Sequence, residues 1–148
     1  MGSEYTLAAT DQRRRAVVNG IWEVGWGLQL SGVYFYGSGM RQSVSCSCPA
    51  RDTGSGGGTR RLNDGTYLAR NSFVGSPLHR VDTRLQKRIP LGGRRTLDGM
   101  LELFNLFNHR NYGSYTTAAD NPAYGQPVYN TNVAYASRSA QLGFRLGF

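Results

Sequence analysis

The last fourteen residues of the chain, 135–148, alternate between apolar and polar side chains with a period of two. The apolar positions are Ala140, Leu142, Phe144, Leu146 and Phe148, and they alternate with Ser139, Gln141, Gly143, Arg145 and Gly147. A period of two places the two sets on opposite faces of a β-strand. The chain therefore ends in a strand with one apolar and one polar face, and its final residue is aromatic.

This terminal strand has two possible settings. A soluble sheet packed on a core shows the same alternation, because one of its faces is buried. In an outer-membrane barrel the apolar face meets lipid, and aromatic residues form girdles at the membrane interfaces. In that setting the lipid-facing residues are Leu142, Phe144, Leu146 and Phe148.

The composition favours β structure. The 148 residues include 20 Gly and 9 Tyr, whereas the helix formers Lys and Glu are scarce. Mean hydropathy is −0.44, and the chain lacks the run of about 20 apolar residues that a transmembrane helix needs. We therefore predict an all-β chain with little or no helix.

Alternation and turn residues together predict five antiparallel strands, near residues 13–24, 26–38, 79–91, 95–107 and 135–148. Gly25-Trp26-Gly27 and Gly92-Gly93 indicate tight turns. The segments at about 39–78 and 109–134 are predicted to be long loops. Short and long connections thus alternate, as they do between the two rims of an outer-membrane barrel. We predict that residues 1–148 form a single barrel segment, an antiparallel meander that is an open curved sheet in isolation.

The charged residues of the strands fall on one face. The net charge is +8, with sixteen Arg against one Lys, Lys87, which interrupts an apolar face. The predicted lumen-facing polar residues are Arg80, Asp82, Arg84, Arg88, Asp98, Glu102 and Arg145. In a wet barrel lumen, Asp98 and Glu102 can pair across strands with the Arg residues. In a soluble basic β-domain, the alternative, Arg80, Arg84, Arg88 and Arg145 would bind nucleic acid or another polyanion.

No pattern in the sequence indicates a catalytic, metal-binding or cofactor-binding site, so we do not expect an enzyme. Asp98 and Glu102 are better explained as ion-pair partners than as a catalytic carboxylate pair. A metal site normally needs four ligands, and His79 and His109 are single and far apart in the sequence. Cys46 and Cys48 could be free thiols or a local disulfide of an exported protein. The tyrosines of the second loop could stack on a sugar, although ordinary loop aromatics are the favoured interpretation.

Three stretches resemble the C-terminal strands of TonB-dependent outer-membrane receptors, especially the Oar-like branch with a carboxypeptidase-regulatory-like N-terminal domain. They are Arg70-Asn71-Ser72-Phe73, residues 79–88, and residues 102–108, of which Phe104-Asn105-Leu106-Phe107-Asn108 is the most specific. The resemblance also covers the C-terminal strand ending in Phe148, which in that family serves as an assembly signal.

The resemblance implies location in the bacterial outer membrane and energised uptake of a large, scarce nutrient. The implied partners are outer-membrane lipid, the barrel-assembly machinery, the TonB system acting through a parent protein, and further upstream strands with a plug. Under this interpretation nucleic acid is not expected as a partner. Met1-Gly2-Ser3-Glu4 lacks the features of a secretion signal, so an exported protein with this start would be a fragment or a mature chain.

Overall fold

A computed structural model of the chain describes residues 5–9, 11–46, 60–62, 64–128 and 136–148. The chain divides into two compact units. The sheet unit comprises Arg15–Gly37, Leu78–Asn111 and Tyr135–Phe148, and the loop unit comprises Met1–Arg14, Ser38–Pro77 and Tyr112–Ala134. The residues that the structure describes contain strands and no helix. Accordingly, none of them belongs to a helix long and apolar enough to cross a membrane.

The sheet unit is one five-stranded antiparallel sheet with the order β1-β2-β5-β6-β7. Its strands are β1 (Arg15–Gly25), β2 (Leu28–Gly37), β5 (Leu78–Gly92), β6 (Arg95–Phe104) and β7 (Ser139–Gly147). Among the described residues the sheet does not close on itself, so β1 and β7 are its two edges. The predicted all-β fold with an open five-stranded meander is confirmed.

The strand ends differ from the prediction where the backbone turns. β2 starts at Leu28 and not at residue 26, because Trp26 and Gly27 have φ angles of 49° and 74° and form a two-residue hairpin loop. β6 ends at Phe104 and not at residue 107, because Asn105 has a φ of 50°. β1 begins two residues later than predicted. β7 begins at Ser139, and Tyr135, the predicted start, lies outside the described residues.

The sheet is a single layer with little protein cover on either face. Every residue of β1 is exposed, including Ile21 and Trp22, which point to opposite faces. Among the described residues, the buried hydrophobic side chains are Val44, Cys46 and Leu78, and of these only Leu78 lies in the sheet unit. A soluble antiparallel sheet buries at least one face, so this sheet has the burial pattern of a membrane wall.

The two segments predicted as long loops supply most of the compact loop unit. β3 (Arg41–Gln42) pairs with β4 (Phe73–Val74), and Ser45 forms a parallel bridge to Ala118. The side chain of Asn71 donates to the carbonyl of Leu7 and accepts from the hydroxyl of Ser43, each at 2.8 Å. These long-range contacts give the loop unit an internal structure of its own.

Cys46 is buried and disulfide-bonded. This result excludes the alternative of a free thiol at Cys46. The other cysteine of the pair considered above, Cys48, lies outside the described residues.

The tyrosines of the second loop that lie among the described residues have structural contacts. The Tyr115 ring lies 5.1 Å from Phe73, and its hydroxyl accepts a hydrogen bond of 2.8 Å from the backbone of Ser76. A Cβ on Gly75 would lie 2.6 Å from the Tyr115 ring, so glycine is needed for this packing. Tyr124 meets Phe73 edge-on at 6.0 Å. The favoured interpretation of these residues as packing aromatics is thereby supported.

Candidate functional site: the two faces of the sheet

One face of the sheet is apolar and exposed. Residues paired directly across antiparallel strands point to the same side, and the register aligns a row of five across the whole sheet: Trp22, Leu30, Leu85, Leu101 and Leu142. Their exposed fractions range from 37% at Leu101 to 70% at Leu142. Phe144 and Leu146 share this face, and Phe148 follows the end of β7 with 94% exposure. A contiguous apolar surface of this kind indicates a membrane or a protein partner.

Lys87 is the charged exception on the apolar face. It lies between Leu28 and Gly99 in the register. Its Nζ donates a hydrogen bond of 2.5 Å to the carbonyl of Trp26 in the hairpin loop. The aliphatic part of the side chain thus covers the face while the charge reaches the turn, as long basic side chains do at membrane interfaces.

The opposite face carries a ladder of ion pairs along β5, β6 and β7. Arg84 and Glu102 are directly opposite and joined by a hydrogen bond of 2.7 Å. Arg88 makes two bonds to Asp98, at 2.8 and 3.1 Å, and Arg145 is opposite Asp98 on the other side. The predicted cross-strand pairing is confirmed. The register puts all seven predicted lumen-facing residues on this one face.

A further ion pair ends the ladder toward the start of β5. Arg80 pairs with Asp82 at 2.7 Å and stacks over the Phe104 ring at 5.9 Å. Three of the four arginines named for polyanion binding, Arg80, Arg84 and Arg88, are therefore neutralised by carboxylates. On β1 the same face carries the apolar residues Val17 and Ile21, and near the hairpin loop it carries Glu23, which accepts a hydrogen bond from Gln29 of β2.

The Phe104–Asn108 motif forms a turn that joins three parts of the sheet unit. Asn105 and Asn108 have φ angles of 50° and 51°, the left-handed conformation that asparagine tolerates better than most residues. The buried Asn105 side chain donates to the carbonyls of His109 and Ala136, at 3.0 and 3.1 Å, and accepts from the backbone of His109.

The backbone of the same turn continues the contacts of β5 beyond the end of β6. Asn105 N–H donates to Asp82 at 2.9 Å, and Leu106 N–H donates to the carbonyl of Val81 at 2.8 Å. Asn108 accepts from the backbone of Arg138, just before β7. The motif therefore fixes where β6 ends and where the chain returns into β7.

Asn111 is a structural residue that the sequence reasoning missed. Its side chain is fully buried, donates to the carbonyl of His79 and accepts from the N–H of His79, each at 2.8 Å. The Asn111 amide thus makes the two backbone hydrogen bonds at His79 that a neighbouring strand would otherwise make with β5. No periodicity marks this residue, because its partner is 32 positions away.

Two tyrosines and two histidines meet at the end of the apolar face opposite the hairpin loops. The Tyr34 hydroxyl lies 3.0 Å from Nδ1 of His79, and the Tyr36 ring lies 5.0 Å from the His79 ring. His109 meets His79 edge-on at 5.1 Å. The two histidines, which are far apart in the sequence, are therefore neighbours in the fold. The described residues contain no group of three His, Cys, Asp or Glu placed to hold a metal ion.

A single-layer antiparallel sheet with an exposed apolar face, a paired charged face and two-residue turns at one set of strand ends is the wall of a membrane β-barrel. A family model described as an outer membrane beta barrel domain matches residues 52–141, more than half of the chain. The chain belongs to this family. It is therefore an outer-membrane protein, which confirms the general part of the predicted function and location. No curated protein and no solved structure matches the chain.

Proposed function

We propose that this chain is a C-terminal wall segment of a TonB-dependent receptor in the bacterial outer membrane, and that it contributes to uptake of a large nutrient without catalysing a reaction. The observation that carries the proposal is the uncovered single-layer sheet, apolar on one side and ion-paired on the other. The resemblance of Phe104–Asn108 to the receptor family supports the more specific assignment.

In this proposal the apolar face contacts lipid and the charged face borders a water-filled lumen. Buried or lipid-exposed charges are costly, whereas paired charges facing water are tolerated. The pairs Arg84–Glu102 and Arg88–Asp98 hold the side chains of the lumen wall in place. A solute that passes this surface would meet charges that are already paired. The segment would therefore line the lumen and would not bind ions with high affinity.

The proposed partners follow from the open edges and from the last strand. Further strands of the parent would pair with β1 and β7, and a plug would occupy the lumen. The barrel-assembly machinery would recognise the last strand with Phe148. The TonB system would act on the parent through regions outside these 148 residues.

The test measures the cellular location of the parent protein, and the energy dependence of nutrient uptake, in a Gram-negative host that expresses it. We expect the protein in the outer-membrane fraction, with an epitope tag placed at Gly65 accessible to antibody on intact cells. Uptake of the parent's nutrient should stop when the host's TonB gene is deleted, while the protein stays in the outer membrane. Uptake that continues without TonB would refute the receptor assignment, and recovery in the soluble fraction would refute the wall assignment.

The soluble polyanion-binding alternative is weakened by the ion pairs of Arg80, Arg84 and Arg88. If it were correct, affinity for DNA would fall by orders of magnitude between about 50 and 200 mM salt. We expect no binding to duplex DNA at the lower salt concentration, measured by fluorescence anisotropy with the folded protein in detergent. Salt-sensitive binding there would instead favour the alternative.

A further inference from the structure

Two arginines and two phenylalanines alternate across the charged face at the end opposite the hairpin loops. The guanidinium of Arg15 lies over the Phe35 ring, 5.1 Å from its centroid, and that of Arg80 lies over the Phe104 ring at 5.9 Å. Phe35 and Arg80 are directly opposite each other in the register. The four side chains therefore form one row from β1 to β6, which we call the Arg–Phe row.

The position of Arg15 follows from its place in the sheet. The residue directly opposite it is Gly37, which has no side chain for Arg15 to pack against. Arg15 reaches diagonally to Phe35 instead, as long side chains can across antiparallel strands. Cation–π attraction to the ring restricts the orientation of the guanidinium. The residue remains exposed, so its N–H groups are accessible to a solute.

Arg15 differs from Arg80 and from the ladder arginines Arg84 and Arg88 because it lacks a carboxylate partner. Each acidic side chain on the charged face of the strands already has a partner there, in the pairs Glu23–Gln29, Asp82–Arg80, Asp98–Arg88 and Glu102–Arg84. In the part of the chain that the structure describes, no carboxylate forms an ion pair with Arg15. Its charge is therefore available to an anion from solution.

The neighbours of Arg15 along β1 make the surface beside it apolar. Val17 lies directly opposite Phe35 and is 53% exposed. Positions two apart on a strand are separated by about 6.6 Å, so one small molecule can contact Arg15 with an anionic group and Val17 with an apolar group. A guanidinium binds a carboxylate through two parallel hydrogen bonds. The chemistry that fits this surface is an organic carboxylate with an apolar body.

We propose that Arg15, Phe35 and Val17 form a low-affinity binding site for organic carboxylates. The carboxylate would accept two hydrogen bonds from the Arg15 guanidinium, and the apolar body of the solute would lie on Val17 and Phe35. This inference rests on the proposed function, because it needs the charged face to border the lumen. It deepens that function by naming organic carboxylates as the class of nutrient that this part of the wall binds.

The measurement is a fluorine NMR titration of para-fluorobenzoate with the folded full chain in detergent micelles, with empty micelles as the blank. This probe combines a carboxylate with an apolar ring, and we expect saturable binding. The amide para-fluorobenzamide has the same shape without the charge, and inorganic phosphate has charge without an apolar body. Each should bind at least roughly fivefold more weakly, since each lacks one of the two contacts.

The sharpest variant is Arg15→Lys, which keeps the positive charge but loses the planar fork. We expect its affinity for para-fluorobenzoate to be roughly fivefold lower. The matched control is Arg95→Lys, the same change at an exposed arginine beside the β5–β6 hairpin loop, and it should leave the affinity unchanged. Phe35→Leu should also weaken binding, whereas Phe144→Leu, on the apolar face, should not.

Two outcomes would overturn the carboxylate site. Equal affinity of Arg15→Lys and the wild type would show that any positive charge suffices, and equal affinity for inorganic phosphate would show that the apolar body makes no contribution. These results are independent of the proposed function, which is refuted by uptake without TonB or by recovery of the parent protein in the soluble fraction. A protein found in the outer membrane that does not bind para-fluorobenzoate would overturn the carboxylate site alone.

Discussion

Asn105 shows how a single residue positions two strands. Its left-handed backbone ends β6, and its side chain holds the carbonyls of His109 and Ala136. Of the twenty residue types, asparagine combines tolerance of positive φ with an amide that both donates and accepts. The motif that resembled a receptor family thus has a local physical reason in this chain.

The first prediction concerns this side chain. Asn105→Gly keeps the positive φ but removes three side-chain hydrogen bonds at a buried position. We expect it to lower the free energy of unfolding by about 1–3 kcal/mol, because carbonyls left buried without partners are costly. Urea unfolding of the chain in lipid vesicles, followed by tryptophan fluorescence, measures the change.

Asn108→Gly is the matched control for this prediction. Asn108 has the same φ but is exposed and accepts a single bond, from Arg138. Its loss should cost less than about 1 kcal/mol. Equal destabilisation by the two variants would contradict the role assigned to the Asn105 amide.

A second prediction concerns Asp64 in the loop unit. The pKa of this carboxyl lies below its ordinary value of 3.8, because the Thr66 hydroxyl and the Thr66 N–H donate to it at 2.6 and 2.9 Å. Since the folded pKa is depressed, the stabilisation is complete above pH 3.8 and is lost as pH falls through the folded pKa. Thr66→Val should move the pKa up toward 3.8, and Thr66→Ser should not, as measured by carbon NMR titration of the Asp64 carboxyl. An unchanged pKa in Thr66→Val would assign the shift to another cause.

At the scale of strands, the alternation in β5 should separate the effects of neighbouring substitutions. Leu85→Arg places a charge in the middle row of the apolar face, and we expect it to impair insertion by roughly 2–4 kcal/mol. Gln86→Arg, on the other face, should be tolerated, and Arg84→Leu should also be much milder than Leu85→Arg. The measurement is the folding equilibrium in lipid vesicles. Similar sensitivity at Leu85 and Gln86 would show that the apolar face does not contact lipid.

The long strands could be predicted from the sequence, because a period of two is a local signal and glycine pairs mark the hairpin turns. The same alternation indicated that Asp98 and Glu102 would pair with arginines across strands, and the register of the β5–β6 hairpin then matches Arg84 with Glu102 and Arg88 with Asp98. The end of β6 was missed although Leu103 and Phe104 are consecutive apolar residues that interrupt the alternation; the strand ends there because Asn105 turns the backbone.

The remaining features depend on contacts between distant residues. His79 and His109 are 30 positions apart in the chain, and the Asn111 amide meets the backbone of His79 over a similar distance. The loop unit joins Leu7, Ser43 and Asn71 through side-chain bonds. None of these pairings leaves a periodic pattern, so sequence alone could not place them.

At the scale of the whole chain, the uncovered faces and edges predict poor solubility. In the part of the chain that the structure describes, β1 and β7 each have one side without a neighbouring strand, and unpaired strand edges recruit other chains. We expect the purified chain to aggregate in detergent-free buffer at low micromolar concentration and to stay dispersed in detergent. Sedimentation velocity measures this, and a monodisperse monomer without detergent would contradict both the open edges and the lipid-facing assignment.

If the proposed function is correct, adding further barrel strands of the proposed parent should change this behaviour. Those strands would pair with β1 and β7 and close the barrel, so the longer chain should resist heat in detergent. Heat-modified mobility on gel electrophoresis detects a closed barrel, and its absence in the longer chain would count against closure by these edges.

The order β1-β2-β5-β6-β7 with every neighbour antiparallel has one more consequence, which concerns direction. β1, β5 and β7 all run the same way across the layer, so the two edges of the sheet point in the same direction. A second copy inserted in the same orientation would offer β1 in parallel to β7, and bacterial barrels are antiparallel throughout. A closed barrel that contains this sheet therefore needs a further set of strands between β7 and β1 whose first and last members run in the opposite direction. Such a set has an odd number of strands, so the complete barrel has an even number.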